Sequence, residues 1–64
     1  MTGKIHRLLK DKHYGFIRGP QNTDYFFHES GLKNVKLDEL EIGQEVEFED
    51  EESDKGLRAV DIFA

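Results

Sequence analysis

Cysteine is absent from the 64 residues, so neither a disulfide nor a zinc–thiolate site can staple the fold. That absence fits a reducing cytoplasm, which is the expected location. No apolar run is long enough to span a membrane. Met1-Thr2-Gly3-Lys4 leads straight into polar sequence, unlike the apolar core of a signal peptide. The chain is therefore expected to be a soluble single domain, residues 1–64, with no membrane partner. Hydrophobic residues make up 36% of a chain near the lower size limit for unaided folding. The expected stability is accordingly only about a few kcal/mol.

Metal and enzyme patterns are missing too. Asp50 to Asp54 lacks the alternating ligands and central glycine of a calcium loop. His6, His13 and His28 offer no helical i, i+4 pair, so no metal and no cofactor are expected. His28-Glu29-Ser30 has the letters of a hydrolase triad, yet neighbours on a strand point to opposite faces and cannot relay a proton. No enzymatic activity is expected.

What the chain does carry is aromatic residues in two short segments, Lys12-His13-Tyr14-Gly15-Phe16-Ile17 and Asp24-Tyr25-Phe26-Phe27-His28. As strands, the first puts Tyr14, Phe16 and Arg18 on one face and Gly15 and Ile17 on the other. The second puts Phe26 and His28 opposite Tyr25 and Phe27. Each strand is thus apolar on both faces, and so small a chain has one core. Tyr25 and Phe27 are assigned to it, which leaves Tyr14, Phe16, Phe26 and His28 at the surface. Exposed rings beside Lys and Arg make a stacking platform for unpaired bases.

The net charge of −5 runs against a nucleic-acid partner, but its distribution does not. Residues 1–36 hold seven basic and three acidic groups; residues 37–64 hold two basic and eleven acidic ones. Screening confines charge effects to about 10 Å at 0.1 M salt, so the basic aromatic half can still meet phosphate, while the acidic half weakens long-range attraction.

Alternation and turn signals predict strands at Lys4–Lys10, Tyr14–Arg18 and Asp24–His28, the last two joined through Gly19-Pro20-Gln21-Asn22-Thr23. Glu29 to Gly43 reads as a long crossover with short helical turns, its leucines plugging the core. Gln44–Glu49 alternates cleanly with Val46 and Phe48 inward. Asp50 to Gly56 reads as a charged loop, and Leu57–Phe63 as the last strand, with Val60 and Ile62 inward and Arg58 near the surface. Leu32 is expected in the core as well. Three consecutive strands and two more after a crossover predict an all-β, five-stranded antiparallel barrel whose closure removes exposed edges.

These segments resemble the cold-shock domain family. Lys12-x-Tyr14-Gly15-Phe16-Ile17 is similar to its first ribonucleoprotein motif, K-G-F-G-F-I, and Tyr25-Phe26-Phe27-His28 to its second, V-F-V-H. Gly3-Lys4-Ile5, Leu40-x-x-Gly43-Gln44-x-Val46-x-Phe48 and Lys55-Gly56-x-x-Ala59 extend the match along essentially the whole chain. The resemblance implies an OB-fold barrel that binds single-stranded RNA or DNA on the face of the first three strands. Tyr14, Phe16, Phe26 and His28 would stack bases there, and Lys12 would supply a cationic contact. The family's K-W-F-N is here His6-Arg7-Leu8-Leu9, so Arg7 stands at the tryptophan position and Leu8 at the phenylalanine. Glu29 replaces the phenylalanine after the motif histidine, and His13 replaces the first motif glycine.

The changes remove up to three stacking surfaces, at roughly 1–3 kcal/mol per base. Arg7 can recover part of this, because a guanidinium both stacks on a base and meets a phosphate; an ion pair with the acidic half is its other explanation. Lys4 and Lys10 are either phosphate contacts or solvated charges. The expected protein is a monomeric single-stranded nucleic-acid binder, an RNA chaperone or a regulator of transcription or translation. The alternative is a protein-interaction module on the same barrel, favoured by Arg7, Glu29 and the net negative charge.

Overall fold

The computed structural model describes residues 1–54 and 56–64. Five strands, β1 (Thr2–Leu9), β2 (Tyr14–Arg18), β3 (Asp24–His28), β4 (Glu45–Ser53) and β5 (Gly56–Phe63), close into a barrel in the order β1-β2-β3-β5-β4. The first three form the expected meander. Four of the pairings are antiparallel; β3 and β5 close the barrel in parallel, Phe26 beside Arg58.

The bounds of β2 and β3 are those read from the sequence, because turn chemistry brackets both. A 3-10 turn at Lys10–Lys12 ends on His13 in the left-handed conformation, φ 64° and ψ 28°. Histidine tolerates that region better than most residues but less well than glycine. Between β2 and β3, Gly19 N–H donates to Thr23 O at 2.7 Å and Thr23 N–H to Pro20 O at 3.2 Å.

The core is built from Ile5, Ile17, Tyr25, Phe27, Leu37, Leu40, Val46, Phe48, Ala59 and Ile62. Burying a side chain such as Phe27 or Phe48 contributes about 1.5–3 kcal/mol. The rings of Tyr25 and Phe48 meet edge-on with centroids 5.0 Å apart. Crossover leucines do plug this core: Leu37 and Leu40 are buried, and Leu32 and Val35 pack against it half-exposed. Short 3-10 turns at Glu29–Gly31 and Leu37–Glu39 shape that segment, and Lys33 N–H ties it to Ile62 O at 2.8 Å.

Two expectations are corrected. Asp50 to Ser53 is not loop: Asp50, Glu51, Glu52 and Ser53 pair with Ala59, Arg58, Leu57 and Gly56, so β4 and β5 run on as a hairpin. Lys55, part of the same expected loop and of the Lys55-Gly56 match, lies outside the described residues. Exposed carboxylates on paired strands are screened by water and salt, and backbone pairing prevails over their repulsion.

Val60 is the second correction. It is half-exposed, whereas Ala59 is buried. Glu47 pairs with Phe63 and Glu49 with Val60, so β5 carries one extra residue there, with Asp61 at φ 50°. Such a bulge reverses the alternation, putting Ala59 and Ile62 inward three residues apart. A bulge in β1 has a matching effect. Ile5 pairs with Ile17 but Arg7 with Phe16, which turns Arg7 outward and lets Leu8 pack on the core.

Candidate nucleic-acid interface

The outer face of β1, β2 and β3 is laid out by cross-strand register. Paired residues present their side chains on the same face. Arg7 pairs with Phe16, Phe16 with Phe26, and Phe26 with Arg58. The result is a continuous Arg–Phe–Phe–Arg row across four strands, roughly 14 Å from end to end at the usual strand spacing. A second row runs Leu9, Tyr14, His28, and a third runs Lys4, Arg18, Asp24.

Tyr14, Phe16 and Phe26 form one ring cluster. Tyr14 and Phe26 lie 5.2 Å apart at 44°, Phe16 and Phe26 5.9 Å at 72°, and Tyr14 and Phe16 6.1 Å at 85°. All three are half-buried, each propped by its neighbours with ring surface left to solvent. Gly15 makes this possible from behind. A Cβ there would stand 2.5 Å from Arg7 O and 2.9 Å from the buried Phe27 ring, so a side chain would lift β2 off the core.

His28, at the end of the second row, is half-buried. Its Nδ1 accepts from Ser30 N–H at 3.2 Å and lies 3.0 Å from Ser30 Oγ. The neutral ring therefore carries its proton on Nε2. Lys12 is exposed on the turn before β2. Arg7 is exposed, and none of the ion pairs among the described residues involves it. Lys10 Nζ donates to Asp38 O at 3.3 Å instead of lying free.

In the third row Arg18 Nε donates to Asp24 Oδ1 at 3.0 Å, and Arg18 Nη2 lies 3.1 Å from His6 Nε2, which must accept because arginine only donates. The hydrogen bond from Arg18 holds the Asp24 carboxyl below its ordinary value, and Asp24 raises Arg18 in return. Glu29, beyond His28, stands 3.3 Å from His13 Nδ1 and lines a separate cleft of about 430 Å³ with Leu32, Val35 and Lys36. Its carboxylate thus sits at the end of the aromatic face and not within the ring cluster.

Sequence reasoning missed one side of the site. Tyr14, Phe16 and Phe26 line a groove of about 710 Å³ whose far wall is Leu57, Arg58, Ser53 and Asp54. The parallel closure of β5 on β3 brings that wall into place, and no local pattern signals it.

A closed five-stranded barrel carrying a half-buried, solvent-facing aromatic cluster on β2 and β3 is an OB-fold of the single-strand-binding class. The chain belongs to the family described as the 'cold-shock' DNA-binding domain, whose pattern matches residues 1–64. It is 42% identical over 61 residues to cold shock protein 1 of Lactiplantibacillus plantarum, covering 95% of this chain and 92% of that one. Identity to the major cold shock protein CspA of Bacillus cereus is 36% over 63 residues, 98% of this chain and 94% of the relative. A cold shock-like protein of Thermotoga maritima is 37% identical over 62 residues, 97% and 94% of the two chains.

Proposed function

We propose that this domain binds unpaired RNA or DNA by stacking bases on Tyr14, Phe16, Phe26 and His28, with Lys12 and Arg7 meeting backbone phosphates. The observation that carries the reading is the Tyr14–Phe16–Phe26 cluster, three rings within 6.1 Å of one another on the outside of the barrel. Rings inclined to one another by 44° to 85° cannot all stack on one base, so successive bases must splay along the face. Only an open strand can do this, and the domain therefore captures single strands and melts weak pairing. That is the action of an RNA chaperone or of a regulator of transcription or translation. It needs neither ATP nor metal.

The proposal includes a monomeric, cytoplasmic working form. Sequence preference is set mainly by stacking, and a small number of phosphate contacts gives a shallow salt dependence, log K falling by about 0.7 per contact. Fluorescence anisotropy with a labelled thymidine hexamer, a uridine hexamer and a matched duplex tests the reading. Both single strands should bind and the duplex should not. Equal binding to the duplex, or none to either single strand, would overturn it. The latter result would leave the aromatic face as a docking patch for another protein.

A further inference from the structure

Arg58 occupies an unusual place in the groove. It is half-buried in the wall facing Tyr14, Phe16 and Phe26, at the inner end of the Arg–Phe–Phe–Arg row. Its Nε is shielded from water and has no hydrogen-bond partner among the described residues. Glu51, its cross-strand neighbour on β4, is exposed, and no ion pair of the described residues joins the two. The shielded Nε is out of a ligand's reach, so the fork this guanidinium can offer beside the aromatic cluster is its terminal Nη1 and Nη2, which make no hydrogen bond or ion pair among the described residues. Arg7, at the other end of the row, is open to solvent and suits a phosphate.

A base laid on Phe26 extends over the adjacent strand, about 4.8 Å away, and carries its edge toward Arg58. The edge that matches is one with two adjacent acceptors. Of the two purines only guanine offers this, through O6 and N7, since adenine sets an amino donor beside N7; thymine and uracil set N3–H beside O4, and an unpaired cytosine is the one pyrimidine with such a pair, O2 and N3. We infer that Arg58 makes this groove select guanine at the base that stacks on Phe26, so that the domain prefers single strands containing guanine over otherwise equal strands containing adenine. The inference rests on the proposed nucleic-acid function and adds base discrimination to it. Adenine loses one hydrogen bond and points its amino group at a donor. The groove is open to water, so the expected preference is about five- to tenfold, toward the low end for an arginine–guanine pair.

The test uses thymidine heptamers with one central guanine, adenine or 7-deazaguanine, measured by anisotropy against the native domain and an Arg58→Lys variant. The native domain should bind the guanine strand about five- to tenfold tighter than the adenine strand. The 7-deazaguanine strand, lacking N7, should fall to near the adenine level. Arg58→Lys keeps the charge and loses the fork, so the guanine-to-adenine ratio should drop toward one whatever the overall affinity. Tight but equal binding of guanine and adenine strands by the native domain overturns the role of Arg58 and leaves the platform standing. So does a preference that survives 7-deazaguanine, a result that needs no variant. No binding of any heptamer overturns the nucleic-acid reading and this inference together.

Discussion

Replacing Phe26 tests the platform at its centre. Phe26 touches both other rings, Tyr14 at 5.2 Å and Phe16 at 5.9 Å, and its backbone joins the aromatic row to Arg58. Phe26→Ala removes one stacking surface, worth about 1–3 kcal/mol per base, and frees its two neighbours to tilt. At 25 °C this corresponds to about a 5- to 150-fold weaker affinity for a thymidine hexamer, with about thirtyfold as the central value. The same change removes two aromatic pair contacts at about 0.5–1.5 kcal/mol each, a sizeable fraction of a small domain's stability. Phe26→Leu separates the two effects. It keeps much of the volume and the apolar contact with Tyr14 and Phe16, costs less stability than Phe26→Ala, and still deletes the π face. Anisotropy titration at 15 °C, near the expected stability maximum, with circular dichroism to confirm the fold, reads both variants. A folded Phe26→Leu domain that binds within twofold of the native one would refute the stacking argument.

Gly15→Ala should destabilise the domain by about 1–3 kcal/mol, roughly 5 to 20 °C in melting temperature, because its Cβ meets Arg7 O and the Phe27 ring; an unchanged thermal melt contradicts this. Glu29→Gln should tighten hexamer binding about two- to fivefold at low salt, with the gain shrinking as salt rises, since an exposed carboxylate at the end of the path then no longer repels phosphate. Equal affinities at low salt would show that Glu29 does not repel the bound strand. Folding lowers the pKa of Asp24 through the Arg18 hydrogen bond, so that bond stabilises the fold above the unfolded carboxyl value of about 4 and is lost as pH falls through the depressed one. Titration of the Asp24 carboxyl by carbon NMR should show the depression, and Arg18→Gln should remove most of it.

Much of the architecture was legible because β2 and β3 are bracketed by turn residues and alternate without interruption, which separated Tyr25 and Phe27 from Phe26 and His28. Where the chain bulges, alternation misleads. The extra residue in β5 at Asp61 turned Val60 outward and Ala59 inward, and a positive φ at an aspartate leaves no mark in the sequence. The hairpin beyond Glu49 was hidden for another reason. Its acidic run reads as loop, while its stability comes from pairing with residues that follow it. Arg58 is legible as a residue near the surface, but its place in the groove depends on the parallel contact between β3 and β5, a relation between segments about 30 residues apart. The aromatic half of the site is written locally, and its arginine wall is made by barrel closure.

A ¹⁵N NMR titration with a thymidine hexamer at low salt, repeated with a uridine hexamer, maps the bound face residue by residue. Shifts should centre on Tyr14, Phe16, Phe26 and His28 and extend to Arg7 and Arg58, the neighbours of that face. Shifts confined to the acidic strands β4 and β5 away from Arg58, or none at millimolar oligonucleotide, would contradict stacking on that face.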